Sequence, residues 1–227
     1  MEFVLSCFLP IAATFIISYL IGAVNSSLVV TKVLNIDKDI RNLGSGNAGF
    51  TNALRTVGKK VAILAFIGDF TKGVLAVWIG IKIASMMYVP ENSFLILKFF
   101  AYTASLGCIL GHIYPCFFKF KGGKGILTAW ASSLLIDVRV FFIIISVFLI
   151  VFIFSKIISL ASIFAAVSYP ISTFLVCFFS KCSGEEILIS TLFTFIMATV
   201  VLAKHKSNII RILNGTEKKI TIGKVNN

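Results

Sequence analysis

Charge is scarce in this sequence. Only 13% of its 227 residues are Asp, Glu, Lys or Arg, about half the share of an ordinary soluble domain. With 58% hydrophobic residues and a mean hydropathy of +1.01, a cytosolic globule is excluded. There are four prolines and no Gly/Ser or acidic tract, which removes collagen-like, disordered and coiled-coil readings. The five cysteines (Cys7, Cys108, Cys116, Cys177, Cys182) form no C-x-x-C pair and no Cys/His group of metal-ligand spacing. They read as small buried hydrophobes, and no metal is expected. No basic n-region precedes the first apolar run after Met1 and Glu2, which predicts a retained first helix instead of a cleaved signal. Internal repeats and long linkers are absent, so residues 1–227 are expected to form a single domain.

What is present is apolar and basic. Twenty-three phenylalanines and runs at residues 3–24, 61–81, 94–117, 126–137, 140–155, 157–179 and 187–203 predict an all-α, polytopic integral membrane bundle of about seven transmembrane helices. The run at 126–137 is too short to cross a hydrocarbon core that needs roughly 17–25 helical residues. Acids are outnumbered, 9 to 21, giving a net charge of +12. Fifteen of the 21 basic residues fall between spans, in three clusters: Lys32, Lys38, Arg41, Arg55, Lys59 and Lys60; Lys119, Lys121 and Lys124; and Lys204, Lys206, Arg211, Lys218, Lys219 and Lys224. That placement argues for cytoplasmic loops beside anionic lipid, with no nucleic-acid partner. An odd number of crossings puts the N-terminus outside and the C-terminus in the cytoplasm. The loops at 82–93 and 181–186, which carry acid beside lysine, then lie outside.

Three polar segments hold the candidate chemistry. The first reads Arg41-Asn42-Leu43-Gly44-Ser45-Gly46-Asn47-Ala48-Gly49-Phe50-Thr51-Asn52-Ala53-Leu54-Arg55. It matches G-x-G-x-x-G, but after a membrane span and a charged stretch instead of a strand, so a Rossmann site is excluded. Glycine backbone N–H groups, with Ser45, Asn47, Thr51 and Asn52 as neutral donors beside Arg55, suit a phosphate; a polar turn shaped by loop geometry fits the same residues. The second segment runs from Gly111-His112 to Lys119-Phe120-Lys121-Gly122-Gly123-Lys124-Gly125. No Gly-Lys pair is followed by Ser or Thr, which excludes a Walker A loop. Glycines around Lys124 just before a helix form an anion cradle, whereas Lys119 and Lys121 fit headgroup anchors as well as substrate contacts. In the third segment, Lys204-His205-Lys206-Ser207-Asn208-Ile209-Ile210-Arg211, His205 and Asn208 share a helical face. His205 suits a proton acceptor, an anion ligand or a solvated interfacial residue. Ile209, Ile212 and Leu213 form an apolar stripe suited to the membrane interface, and Glu217 suits a salt bridge or a cap. Asp69 and Lys72, three residues apart inside a span, are either functional or mutually neutralising.

In this order the three segments resemble the cytoplasmic motifs of the bacterial acyl-phosphate-dependent glycerol-3-phosphate acyltransferases, over nearly the whole chain. The resemblance implies transfer of a fatty acyl group from acyl phosphate to position 1 of sn-glycerol 3-phosphate at the cytoplasmic side of the bacterial inner membrane. Lysophosphatidic acid and phosphate are the implied products, membrane lipids the surroundings, and no cofactor is implied. It assigns catalysis to Ser45, Arg55, Lys124, His205 and Asn208. Substrate binding falls to Gly44, Gly46, Asn47, Gly49, Thr51, Asn52, His112, Lys121, Gly122, Gly123 and Gly125, and a structural role to Glu217. The chain departs from the family at Ala48 and Phe50, where Pro and Ala are usual, which removes a fixed φ and adds bulk. An acyl phosphate is already activated, so positioning and charge stabilisation suffice without a covalent intermediate. Two other classes fit parts of the pattern. An anion or organic-phosphate transporter would use Asp69 and Lys72 at membrane depth, and a lipid-binding scaffold would need the basic clusters but not the glycines.

Overall fold

The computed structural model describes residues 2–36, 39–87 and 93–220. Lys38, Glu91 and Lys224 of the charge pattern lie outside the described residues, as does the side chain of Cys7. The described secondary structure is entirely helical. Its α-helices are α1 (Glu2–Ala23), α2 (Ser26–Val33), α3 (Phe50–Thr56), α4 (Lys59–Ser85), α5 (Ser93–Ile113), α6 (Ile126–Ile136), α7 (Val138–Ser155), α8 (Ile158–Phe179), α9 (Gly184–Lys204) and α10 (Lys206–Leu213), with 3-10 turns at Ile40–Asn42 and Cys116–Phe118.

Each of the seven predicted spans is a helix. Among the described residues α4, α5, α7, α8 and α9 are long and apolar enough to cross a membrane alone, and α1 with α2, bent by 44° at their break, are long and apolar enough only when taken together, as a broken span or a re-entrant loop. Helix α6 has 11 residues, which at 1.5 Å per residue reach about 16 Å, roughly half of a hydrocarbon core. The bend at the end of α1, and α2 beyond it, are not anticipated by the hydropathy pattern, because polar Asn25, Ser26 and Ser27 interrupt the apolar run there.

The chain divides into two compact units, Met1–Val138 and Arg139–Asn227. In the first, α1 and α4 both pack on α5, α6 packs on α4, and α2 and α3 lie against α4. Small residues permit this closeness: a Cβ at Gly22 or Gly111 would strike the backbone carbonyl of Cys108 or Tyr19 on the facing helix, as expected where packing without a hydrophobic drive selects glycine and alanine. In the second unit α8 packs on α9, and α10 on both. Phe142, Leu149, Ile150, Ile153 and Phe154 of α7 are exposed, Phe154 by 85%, and only Val140 and Ile144 of that helix are buried, the pattern of a lipid-facing element.

Candidate active site

The break between α1 and α2 is built from polar residues. Asn25 caps α2 by accepting from Leu28 N–H at 3.1 Å, while its Nδ2 donates to Ala48 O at 3.2 Å. Lys72 Nζ, from α4, donates to the carbonyls of Gly22 and Val24 at 3.0 and 2.9 Å and pairs with Asp69 at 2.8 Å. Asp69 also accepts from Ser26 Oγ at 2.8 Å. All four side chains are buried. The Asp69–Lys72 pair thus satisfies the end of one helix and the start of the next, where orphaned backbone groups would otherwise be buried. Both charges are thus partnered inside the protein. Asn25 and Ser26 carry no motif and are found only in three dimensions.

The first polar segment closes on itself. Asp39 caps the 3-10 turn through Arg41 N–H at 2.9 Å and holds the Arg41 guanidinium at 2.7 Å; these hydrogen bonds keep the Asp39 carboxyl below its ordinary range against the opposing effect of burial. Buried Asn52 accepts from Ser45 N–H at 2.9 Å and donates to Ile40 O at 3.0 Å and Leu43 O at 2.9 Å. The Asn52 amide pins the loop from within. Two of the loop's glycine N–H groups are used within it, Gly46 N–H bonding Leu43 O and Gly49 N–H bonding Asn47 O. Gly44, at φ +59, needs its missing side chain because a Cβ would meet Asn52 Oδ1. Ser45, Gly46 and Arg55 are exposed, and Asn47 and Thr51 are half-buried. The two departures from the family fit the core: Ala48 is fully buried, and Phe50 packs on the cluster of Leu28, Ile40, Ala53 and Val61, edge-on to Phe66 at 5.7 Å.

The second segment is tied to the first. Arg41 Nη1 donates to Phe118 O at 3.1 Å, and Phe118 packs on the same apolar cluster. His112, in the last turn of α5, is buried. Its carbonyl accepts from Gly123 N–H at 3.1 Å, and a Cβ on Gly123 would collide with its ring. Its Nδ1 lies 3.6 Å from Asp69 Oδ1, longer than a hydrogen bond. His112, which the family resemblance places among the substrate-binding residues, stands buried behind the glycine loop, between that loop and Asp69. Gly122 sits equally close to His112 O. Gly125, at φ +85, precedes α6 and packs on Ile113. Lys119 and Lys121 are exposed, Lys124 half-buried. Thr128 Oγ1, in the first turn of α6, is buried without a hydrogen-bond partner among the described residues.

In the second unit, His205 stands between α9 and α10. It is 2% exposed, not a solvated interfacial side chain, and its Nδ1 donates to Val201 O at 2.8 Å. Because a carbonyl only accepts, the neutral ring carries its proton on Nδ1. Glu217 accepts from Asn208 Nδ2 and Ser159 Oγ, each at 2.7 Å, and pairs with Arg211. Burial pushes the Glu217 carboxyl up, but the bonds from Ser159, Arg211 and Asn208 outweigh it and hold the group below its ordinary value. Ile210 and Leu213 leave an apolar edge of α10 exposed. At the other end of this unit, Cys177, Cys182 and Glu186 bring three potential ligand atoms within 4.8 Å, a cluster of metal-ligand type that linear spacing does not reveal.

The family model for glycerol-3-phosphate acyltransferase matches residues 12–215. A glycerol-3-phosphate acyltransferase of Syntrophomonas wolfei is 39% identical over 213 residues, 92% of this chain and 97% of the relative. One of Paraburkholderia phytofirmans is 37% identical over 205 residues, 90% and 88% of the two chains. Among solved structures, PlsY (YgiH), an integral membrane glycerol 3-phosphate acyltransferase in its glycerol 3-phosphate form, superposes with a TM-score of 0.74 at 32% identity, covering 93% of this chain and 96% of that one. The lysophosphatidic acid form of the same enzyme gives 0.72. Three ordered motifs, a helical membrane architecture and these relatives agree, and the chain belongs to the glycerol-3-phosphate acyltransferase family.

Proposed function

We propose that this chain transfers a fatty acyl group from an acyl phosphate to the sn-1 hydroxyl of sn-glycerol 3-phosphate, as a single acyltransferase of the bacterial inner membrane working at the cytoplasmic face. The observation that carries the reading is the Arg41–Phe118 tie, with the apolar cluster beneath it, which joins the segments bearing Ser45, Arg55 and Lys124. Two phosphate-bearing substrates need cationic and neutral donors on one rigid base, and a long acyl chain needs apolar helices beside them. The glycerol 3-phosphate and lysophosphatidic acid forms of one related enzyme support the acceptor and product.

In this reading the glycerol hydroxyl attacks the carbonyl carbon of the mixed anhydride, and the C–O bond to phosphate breaks as the tetrahedral intermediate collapses. Ser45 acts as a neutral donor to a phosphate or oxyanion, with no base beside it in sequence to make it a nucleophile. Arg55 and Lys124 neutralise phosphate oxygens, with Lys121 and the glycine loops completing the binding surface. By the family resemblance His205 is the acceptor for the hydroxyl proton; the departing phosphate is the alternative acceptor. Asn208 and Glu217 hold the His205 segment. The transporter reading loses its main support, because Asp69 and Lys72 are occupied at the α1–α2 break.

The test uses purified protein in lipidic mesophase with palmitoyl phosphate and sn-glycerol 3-phosphate, following phosphate and lysophosphatidate together, with palmitoyl-CoA as a donor control. Stoichiometric release of both products from acyl phosphate alone is expected, with acylation at position 1 and a loss of about 10²–10³-fold in Arg55→Ala, the scale for removing one transition-state donor. Phosphate without lysophosphatidate would reduce the activity to hydrolysis, and product from palmitoyl-CoA would replace the donor.

A further inference from the structure

The turn between α8 and α9 is defined by its caps. Helix α8 ends in a Schellman motif: Cys182 N–H bonds Cys177 O at 3.0 Å, and Lys181 N–H, in a residue at φ +55, bonds Phe178 O at 3.1 Å. That motif brings the side chains on either side of the left-handed residue into contact, and here both are cysteines. Ser183 then caps α9 by accepting from Glu186 N–H at 3.2 Å, which sets Glu186 in the first turn. Two thiols and a carboxylate therefore meet, with their ligand atoms within 4.8 Å of one another. Cys177 and Glu186 are buried and Cys182 is half-buried.

We propose that Cys177, Cys182 and Glu186 form a binding site for a thiophilic divalent cation of the zinc class. Two sulfur donors and one oxygen exclude calcium and magnesium, which take oxygen ligands, and fit a tetrahedral d¹⁰ ion with water in the fourth position. Metal–sulfur bonds of about 2.3 Å and metal–oxygen bonds of about 2.1 Å place the ligand atoms of a tetrahedral site roughly 3.5–3.8 Å apart. Closing the cluster thus asks for movements of about 1 Å. On binding, the two thiols lose their protons to solvent, two M–S bonds and one M–O bond form, and no redox step occurs. The filled site carries a formal charge of −1, two from the ion against three from the ligands. Glu186 lies in the first turn of α9, where the helix dipole favours negative charge, while exposed Lys181 and Arg139, bonded to Ser180 Oγ at 2.6 Å, add compensating charge at this end of the hairpin. Half-exposed Cys182 gives the ion its way in. The bound ion would staple α8 to α9.

Cobalt(II) reads the site without reference to acyl transfer. The full chain, tag removed, reduced and stripped of metal in detergent, is titrated with Co²⁺. The expected result is thiolate-to-cobalt charge-transfer absorption saturating at one equivalent and bleached by Zn²⁺. Cys182→Ser and Glu186→Gln should weaken Co²⁺ binding by more than the roughly 10–100-fold that losing an outer-shell partner costs, whereas Cys108→Ser and Cys116→Ser retain it. Zn²⁺ should raise the melting temperature of the parent chain and not of Cys182→Ser. Absence of the charge-transfer band in the folded parent overturns the proposal without any variant, as does its persistence in Cys182→Ser. Thiol counting on protein isolated without reductant adds a third arm, and a Cys177–Cys182 disulfide found there would replace the metal site by an oxidised staple.

Discussion

Replacing Lys72 by Met tests the polar hinge of the first span. The substitution preserves length and apolar volume but leaves the buried Asp69 carboxylate with Ser26 as its hydrogen-bonding partner, and strips the Gly22 and Val24 carbonyls of their donor. Breaking a buried pair from one side costs about 3–5 kcal/mol. For a chain of this length about 1 kcal/mol corresponds to roughly 2–4 °C in melting temperature, so a fall of about 6–20 °C is expected. The assay is thermal unfolding in detergent, followed by tryptophan fluorescence and by the fraction still monodisperse after heating. Lys72→Met combined with Asp69→Asn removes both charges and should recover at least half of the loss, because the penalty comes from an uncompensated charge more than from a missing contact. A single variant that melts within about 2 °C of the parent would refute the reasoning, and so would a double variant whose loss equals the sum of the two singles.

Three further outcomes follow from the site. Asn52→Ala leaves Ile40 O, Leu43 O and Ser45 N–H without their partner; at about 1–3 kcal/mol per buried orphan it should lower stability and raise the KM for glycerol 3-phosphate, checked by melting and steady-state kinetics. Gly123→Ala drives a methyl into the His112 ring and should cut acyl transfer at least about tenfold, overpacking costing about 1–3 kcal/mol; an unchanged rate would remove His112 as the wall of that loop. Glu217, whose carboxyl is held below its ordinary value, contributes stability that is full above the unfolded carboxyl pKa and disappears as pH falls through the lower folded one. The melting difference between the parent and Glu217→Gln should therefore be constant near neutrality and shrink only on the acid side of the ordinary carboxylate range.

Hydropathy alone marks seven apolar helices, because a backbone in lipid must satisfy its own hydrogen bonds and a helix is the local way to do so. Composition and three ordered motifs also carry the family, since the glycines, Ser45, Arg55, Lys124 and His205 are chemical types whose order survives in one dimension. Which of these side chains point outward and which are consumed is a matter of contact, and only the tertiary structure decides it. Asn52 and Ser45 look alike in the motif, yet one is buried as a pin and the other exposed at the turn it holds. Asp69 and Lys72 are near each other in sequence, but the partners of Lys72 come from α1, which breaks beside them and presents two carbonyls to it. Cys177 and Glu186, nine positions apart, become neighbours because a left-handed residue and a serine cap fold α8 back onto α9. Sequence determines what each segment can offer to water, lipid or phosphate; the packing of helices determines what remains to be offered once buried groups have taken their partners.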